Sequence, residues 1–150
     1  MRIEKLSANN VDAYITYLKK AMSLEPDLMT AENVDEDGIR RRIFDGFYSK
    51  TTSLLAFESD MVVGRIEYHF YGCMQDGYSM AYVDWVYVLP EFRHSGVAQA
   101  LFKALEIDCK DNDINQYYLI RSVNKDADKF YHSFENVSLS EAPILRKELK

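Results

Sequence analysis

Hydrophobic positions recur along the chain with two spacings, and those spacings assign most of the elements. Residues 2–6 (RIEKL) read as a short strand. Val11, Tyr14, Ile15, Leu18 and Met22 then fall three or four apart, the mark of one buried helical face, until Pro26 ends that first helix. After the loop DLMTAENVDEDG, the residues Ile39, Ile43, Phe44 and Phe47 predict the buried stripe of a second helix, with Arg40, Arg41 and Arg42 on its solvated face. TTSLLAFES and MVVGRIEYHFYG, separated near Ser59 and Asp60, are rich in β-branched and aromatic residues and predict an antiparallel hairpin. Within its second strand Arg65, Glu67 and His69 alternate with Ile66, Tyr68 and Phe70. Past a turn from Gly72 to Gly77, AYVDWVYV is apolar almost throughout, as expected of a central strand covered on both faces. Asp84 is its one charge.

A long helix is expected from Gly96 to about Asn112, with Val97, Leu101 and Leu105 in register, followed by a strand in QYYLIRS. Asn124 is placed to cap a further helix containing Ala127, Phe130 and Tyr131 and ending near Asn136. The polar tail SLSEAPILRKELK leaves room for one or two final strands. With no repeat, linker or low-complexity stretch, residues 1–150 are expected to form one α/β domain.

Composition narrows the function classes. A 150-residue chain that is 47% hydrophobic supports one core of ordinary size. The start MRIEKLSANN lacks the basic-then-apolar pattern of a signal peptide, and no run reaches the ~20 apolar residues of a membrane span, so a cytoplasmic protein without a membrane partner is expected. Cys73 and Cys109 fall at no motif spacing and read as reduced thiols. A net charge of -6 argues against nucleic acid, whose binding rests on clustered Lys and Arg. His69 and Cys73 share a strand face, but no second ligand pair has metal-site spacing, and no metal is expected.

The segment VYVLPEFRHSGVAQALF joins the apolar strand to the long helix. Pro90 cannot donate to a ladder and Gly96 reaches backbone angles closed to other residues, so the strand ends and the chain turns before the helix starts. The first N–H groups of a helix lack intrahelical partners and the macrodipole adds positive charge there, which makes an anion site suited to phosphate. Arg93 is expected to add a full charge beside it. The six glycines form neither GxGxxG nor GxxxxGK[ST], which removes the Rossmann and P-loop readings. From spacing alone, an ordinary helix-start glycine explains Gly96 equally well.

The run Val88-Leu89-Pro90-x-x-Arg93-x-x-Gly96-Val97-Ala98 resembles the acetyl-coenzyme A signature of the GNAT superfamily of N-acetyltransferases, Arg/Gln-x-x-Gly-x-Gly/Ala. Asn124-x-x-Ala127-x-x-Phe130-Tyr131 resembles the family's second motif, a helix and a strand further on. The order and spacing agree over residues 81–131, while the N-terminal half agrees only in its inferred elements. One departure follows Tyr131, where family members commonly have Gly-Phe and this chain has His132-Ser133-Phe134-Glu135-Asn136.

The resemblance implies a mixed, mostly antiparallel sheet with helices on both faces, and transfer of the acetyl group of acetyl-CoA to a primary amine. It implies that N–H groups of Arg93, His94, Ser95, Gly96, Val97 and Ala98 hold the pyrophosphate, that the strand edge at Val86 and Val88 pairs with the pantetheine arm, and that Asn124 belongs to the cofactor site. A fixed N–H near Val88 would stabilise negative charge on the thioester oxygen. Two proton-handling groups remain, since an ammonium of pKa ~10 must lose a proton and a thiol of pKa ~8.5 must leave. Tyr131 is the candidate acid by its motif position. Asp84 is the candidate base, expected from strand alternation to share a face with Val86 and Val88 and to have its pKa raised by burial. Glu67 on the neighbouring strand is the second candidate, directly or through water.

Similar proteins usually meet their acceptor between the first two helices, where this chain places Asp27, Glu32, Asp35, Glu36 and Asp37. Those carboxylates favour a small cationic molecule, polyamine- or aminoglycoside-like, while a peptide N-terminus or lysine stays open. Similar proteins also dimerise commonly, although no sequence feature here demands a homodimer. The alternative function is a non-catalytic acyl-CoA-binding sensor or regulatory module.

Overall fold

In the computed structural model, which describes residues 1–28, 31–121 and 125–149, the chain divides into two compact units, Met1–Leu119 and Ile120–Lys150. The first unit runs β1 (Arg2–Lys5), α1 (Val11–Leu24), α2 (Glu36–Arg42), β2 (Thr51–Glu58), β3 (Met61–Gly72), β4 (Ser79–Val88), α3 (Val97–Asp111) and β5 (Gln116–Leu119). Its sheet follows chain order, β1 to β5, antiparallel throughout except for the parallel β4–β5 pair, whose connection is α3.

Neighbouring residues of β3 show how the sheet is covered. A Cβ added to Gly64 would lie 2.8 Å from Val97 Cγ1 and 3.4 Å from Leu101 Cδ1, so α3 rests directly on that face. Arg65, one residue on and therefore on the opposite face, donates to the Tyr14 hydroxyl of α1. Leu101, Phe102 and Leu105 are buried on the α3 side, and Tyr14, Tyr17 and Ala21 of α1 pack with Leu55, Phe57 and Tyr87 on the other. Tyr17 donates its hydroxyl to the Tyr87 carbonyl (2.9 Å), which satisfies both groups out of water. The mixed sheet with helices on both faces is the expected architecture.

Three expectations are corrected. The second helix stops at Arg42 because a new turn begins at Asp45, whose carboxylate accepts from the Phe47 N–H (2.9 Å); Phe44 and Phe47 are 78% and 86% exposed rather than buried. In the second unit, α4 (Lys125–His132) ends four residues before Asn136. Ser133 and Phe134 close turn bonds onto Phe130 and Tyr131, and Asn136 takes a left-handed conformation (φ 57°) that asparagine tolerates, so the helix ends without a glycine. Residues 137–149 form no strand. Asn124, the expected cap and cofactor residue, lies outside the described residues.

Candidate active site

The cradle at the start of α3 follows from local backbone geometry. The ladder ends at Val88, Pro90 starts a single turn of 3-10 helix, and His94 (φ 60°) and Gly96 (φ 87°) both adopt left-handed angles before α3 begins. Each positive φ swings the next peptide plane round, so successive N–H groups turn the same way. Gly96, as N-cap, offers no side chain to occupy the first N–H groups of the helix, and a Cβ built on it would meet nothing within 4 Å. Among the described residues, no bond to a neighbouring element is found for the N–H groups from His94 to Gln99, and the helical ladder opens with Ala100 N–H to Gly96 O (3.0 Å). The main-chain donors of this turn therefore lie at the positive end of a 15-residue helix, with the space beside Gly96 unfilled.

Arg93 is placed otherwise than expected. Its N–H bonds the Pro90 carbonyl (3.2 Å), so the cradle begins at His94. Its guanidinium forks onto Glu25 at the end of α1, with Nη1 to Oε1 at 3.2 Å and Nη2 to Oε2, while Nε donates to the Val88 carbonyl (3.0 Å). Tyr87 Oη donates to the same Glu25 (2.7 Å). The Arg93 bonds, then that of Tyr87, hold the Glu25 carboxyl below its usual range. Arg93 thus ties α1 to the end of β4, and its charge is neutralised there instead of standing free beside the cradle.

The edge of β4 lies open next to the cradle. The β4–β5 ladder stops at Val83 opposite Leu119, and a bulge follows, with Tyr68 opposite Val83 and Glu67 opposite Trp85. Asp84 is the extra residue, and a bulge bends its strand and ends regular pairing. Leu89 N–H bonds the Val63 carbonyl (2.9 Å) on β3, so by antiparallel alternation the main-chain groups of Val88 and Val86 point to the opposite edge, where no strand pairs with them among the described residues and Arg93 Nε takes the Val88 carbonyl.

The bulge also overturns the expected facing of Asp84. The extra residue breaks the parity with Val86 and Val88 and turns Asp84 to the α1 side, where one atom each of Asp84, Glu67 and His69 lie within 4.8 Å of one another. His69 Nε2 is 3.9 Å from Asp84 Oδ2, and His69 Nδ1 shares a hydrogen with Thr51 Oγ1 (2.9 Å). Half of the Asp84 side chain is exposed, so the expected burial is not found. Glu67 is more enclosed and accepts from Ser53 Oγ.

Both carboxylates line a cavity of about 510 Å³ between α1, the loop before α2, α2 and the sheet. Trp85, Tyr14 and Tyr17 supply aromatic lining, and Arg65 stands among them, its guanidinium carbon 5.5 Å from the Tyr14 ring centre and 6.0 Å from that of Trp85. Burial works against the Arg65 charge, but Tyr14 and Glu67 beside it outweigh that and hold its pKa above the usual value. The loop carboxylates expected to draw in a polycation are partly neutralised. Asp35 caps α2 through the Gly38 N–H (3.0 Å) and pairs with Arg42 (3.0 Å), and Glu36 pairs with Lys19 (2.6 Å). Of the lining cations, Lys5 is held by Asp108 (2.7 Å) outside the cavity and Arg42 by Asp35.

Tyr131 belongs to the second unit, on α4. It packs against Phe130 and Phe134, with ring centres 5.3 and 6.1 Å away, and burial pushes its hydroxyl pKa up. A tyrosine so held is fully protonated at neutral pH, the form a proton donor needs.

Comparison with known proteins fits this geometry. Residues 18–135 match the acetyltransferase (GNAT) family, and the chain belongs to it. Among solved structures, an aminoglycoside acetyltransferase from an uncultured soil metagenomic sample, in complex with sisomicin, superposes with a TM-score of 0.83 at 14% identity, over 99% of this chain and 96% of that one. The ribosomal-protein-alanine N-acetyltransferase of Brucella melitensis biovar Abortus 2308 gives 0.74 at 18% identity, over 98% and 100%. A transcriptional regulator from Bacillus halodurans C-125 gives 0.75 at 14% identity, over 97% and 99%. No curated protein sequence matches the chain. Among the described residues, no helix is long and apolar enough to cross a membrane.

Proposed function

We propose that the chain transfers the acetyl group of acetyl-CoA to a primary amine held in the cavity between α1, α2 and the sheet. The observation that carries this reading is the turn from His94 to Gln99, whose main-chain donors bond no neighbouring element among the described residues, beside the stretch of β4 that lies beyond the β5 ladder. A diphosphate needs main-chain donors that converge without a side chain between them, which the turn before α3 supports, and a pantetheine arm needs amide groups in an extended line, which Val86 and the Val88 N–H support. Acetyl-CoA supplies an activated thioester when bound.

The chain's own groups then have separable tasks. The Val88 N–H, directed to the open edge, stabilises negative charge that develops on a carbonyl oxygen. Asp84, or Glu67, takes the proton that the amine must shed, directly or through one water, and exposure lets Asp84 return it to solvent. Tyr131 protonates the departing sulfur. That role is supported by its position in the motif and by the burial that keeps its hydroxyl protonated. The acceptor is a small amine or a peptide N-terminus. Neutralisation of Asp35 and Glu36 removes part of the argument for a polycation such as a polyamine or aminoglycoside.

Thiol release measured over a panel of amines tests the proposal. Tyr131→Phe is expected to keep acetyl-CoA binding and to slow release by about 100-fold, the lower range for a lost general acid. Unchanged turnover removes Tyr131 from the chemistry. A chain that binds acetyl-CoA yet releases no thiol with any amine is the sensor or regulatory module instead.

A further inference from the structure

Arg65 is unusual among the charges of the cavity because, among the described residues, one of its donors is buried without a partner. The side chain is 12% exposed, in the middle of β3 and among the lining residues. Nη1 donates to the Tyr14 hydroxyl and reaches Glu67 Oε2 at 3.5 Å, a loose ion pair. Nε is buried and has no partner, and no bond from Nη2 is found among the described residues. A buried N–H of a charged group left without an acceptor costs about 1–3 kcal/mol or more, so an unpartnered one in a cavity wall calls for a partner that arrives with the ligand. Nε and Nη2 form one edge of the planar guanidinium, and two parallel N–H donors match the two oxygens of a carboxylate.

The rest of the cavity fits the other end of such a molecule. Glu67, within reach of Arg65, lies within 4.8 Å of Asp84, so a cation and two carboxylates share one stretch of the sheet. The Tyr14 and Trp85 rings both lie close to the guanidinium, with centres 5.5 and 6.0 Å from its carbon. Lys5 and Arg42 are paired with Asp108 and Asp35, and among the described residues Arg65 is the lining cation with a buried donor that has no partner.

We propose that the acceptor is a zwitterion, an amino acid whose carboxylate is held by the Nε–Nη2 edge of Arg65 while its ammonium faces Asp84 and Glu67. This inference rests on the acceptor-cavity reading given above. It makes Arg65 the residue that selects among amines, and it excludes simple polyamines as preferred acceptors.

The test pairs amino acids with their decarboxylated amines, lysine with 1,5-diaminopentane and phenylalanine with phenethylamine. Two readouts are taken: thiol release with acetyl-CoA, and fluorescence of Trp85, the chain's single tryptophan, during titration without cofactor. The amino acid of at least one pair is expected to exceed its amine by on the order of 100-fold in kcat/KM and in affinity, the range for a charge-assisted bidentate pair. Arg65→Met is expected to bring that ratio near one. Arg65→Lys, which keeps the charge but not the fork and is less disruptive to folding, should leave it near 10. Thiol release with no advantage for the carboxylate in any pair, or a ratio unmoved in folded Arg65→Lys, overturns the inference and leaves the transferase reading intact. Carboxylate-dependent quenching of Trp85 without any thiol release supports the binding site and overturns the transferase reading.

Discussion

Gly64→Ala tests whether the core of the first unit positions the proposed cofactor cradle. Gly64 lies on β3 opposite Val88, and α3 starts directly above it. The new methyl would stand 2.8 Å from Val97 Cγ1 and 3.3 Å from Val88 Cγ2. Ordinary contact needs roughly 3.5–4.0 Å, so the start of α3 must lift by something near 1 Å or Val97 must leave its rotamer. Overpacking of this kind costs about 1–3 kcal/mol, and replacing glycine inside a strand returns about 0.5–1 kcal/mol, so the net destabilisation expected is up to about 2.5 kcal/mol. At roughly 2–4 °C per kcal/mol, thermal unfolding should fall by up to about 10 °C. Because Val97 N–H belongs to the cradle, the same displacement should weaken acetyl-CoA binding by ~10-fold or more in calorimetric titration. Val97→Ala removes the obstructing methyl groups. The double variant should therefore be more stable than the two single losses added together, by at least ~0.5 kcal/mol. A Gly64→Ala protein with unchanged melting temperature and unchanged acetyl-CoA affinity would refute the reasoning, as would strict additivity with Val97→Ala.

Two further outcomes follow from the charges and thiols. The Glu25 carboxyl is held low in the folded chain by Arg93 and Tyr87, so its contribution is fully present above the unfolded value of ~4.3 and is lost as pH falls through the folded value. Both partners are partly exposed, so Glu25→Gln should cost only about 1 kcal/mol in urea unfolding at pH 7. The difference should shrink as pH falls below the unfolded value and through the lowered folded one, and a gap that does not change with pH contradicts the assignment. Cys73 is exposed, whereas burial and then Asp108 and Glu106 push the Cys109 thiol up to about 11. A thiol reagent at pH 8 should label Cys73 rapidly and Cys109 only after denaturation, and two fast thiols would contradict that environment.

The parts legible in the sequence are those set by residues with hard local constraints. Pro90 and Gly96 bracket the turn before α3 because proline lacks an N–H and glycine tolerates φ of 87°, and no tertiary context alters either fact. The strands of the hairpin were likewise readable from their β-branched and aromatic runs. The facing of Asp84 was not, because a bulge is a property of two strands in register and the run AYVDWVYV contains no glycine or proline to mark it. The partnership of Arg93 with Glu25 spans 68 residues and has no local signal at all. Phe44 and Phe47 keep apolar character at helical spacing yet are exposed, because the capping carboxylate of Asp45 starts a separate turn. Arg65 did leave a trace, a lone arginine inside a strand whose next residue Ile66 is fully buried, but its buried donor without a partner is visible only once Tyr14 and Glu67 are placed around it.

The central claim is that main-chain donors at the start of α3 grip a diphosphate. The most direct measurement is the amide proton–nitrogen spectrum of the isotopically labelled chain during titration with acetyl-CoA. The account expects the N–H resonances of His94 to Gln99 to show the largest shifts, and S-acetylpantetheine, which lacks the diphosphate, to leave them nearly in place. A folded chain whose His94–Gln99 amides stay unmoved at saturating acetyl-CoA would contradict it.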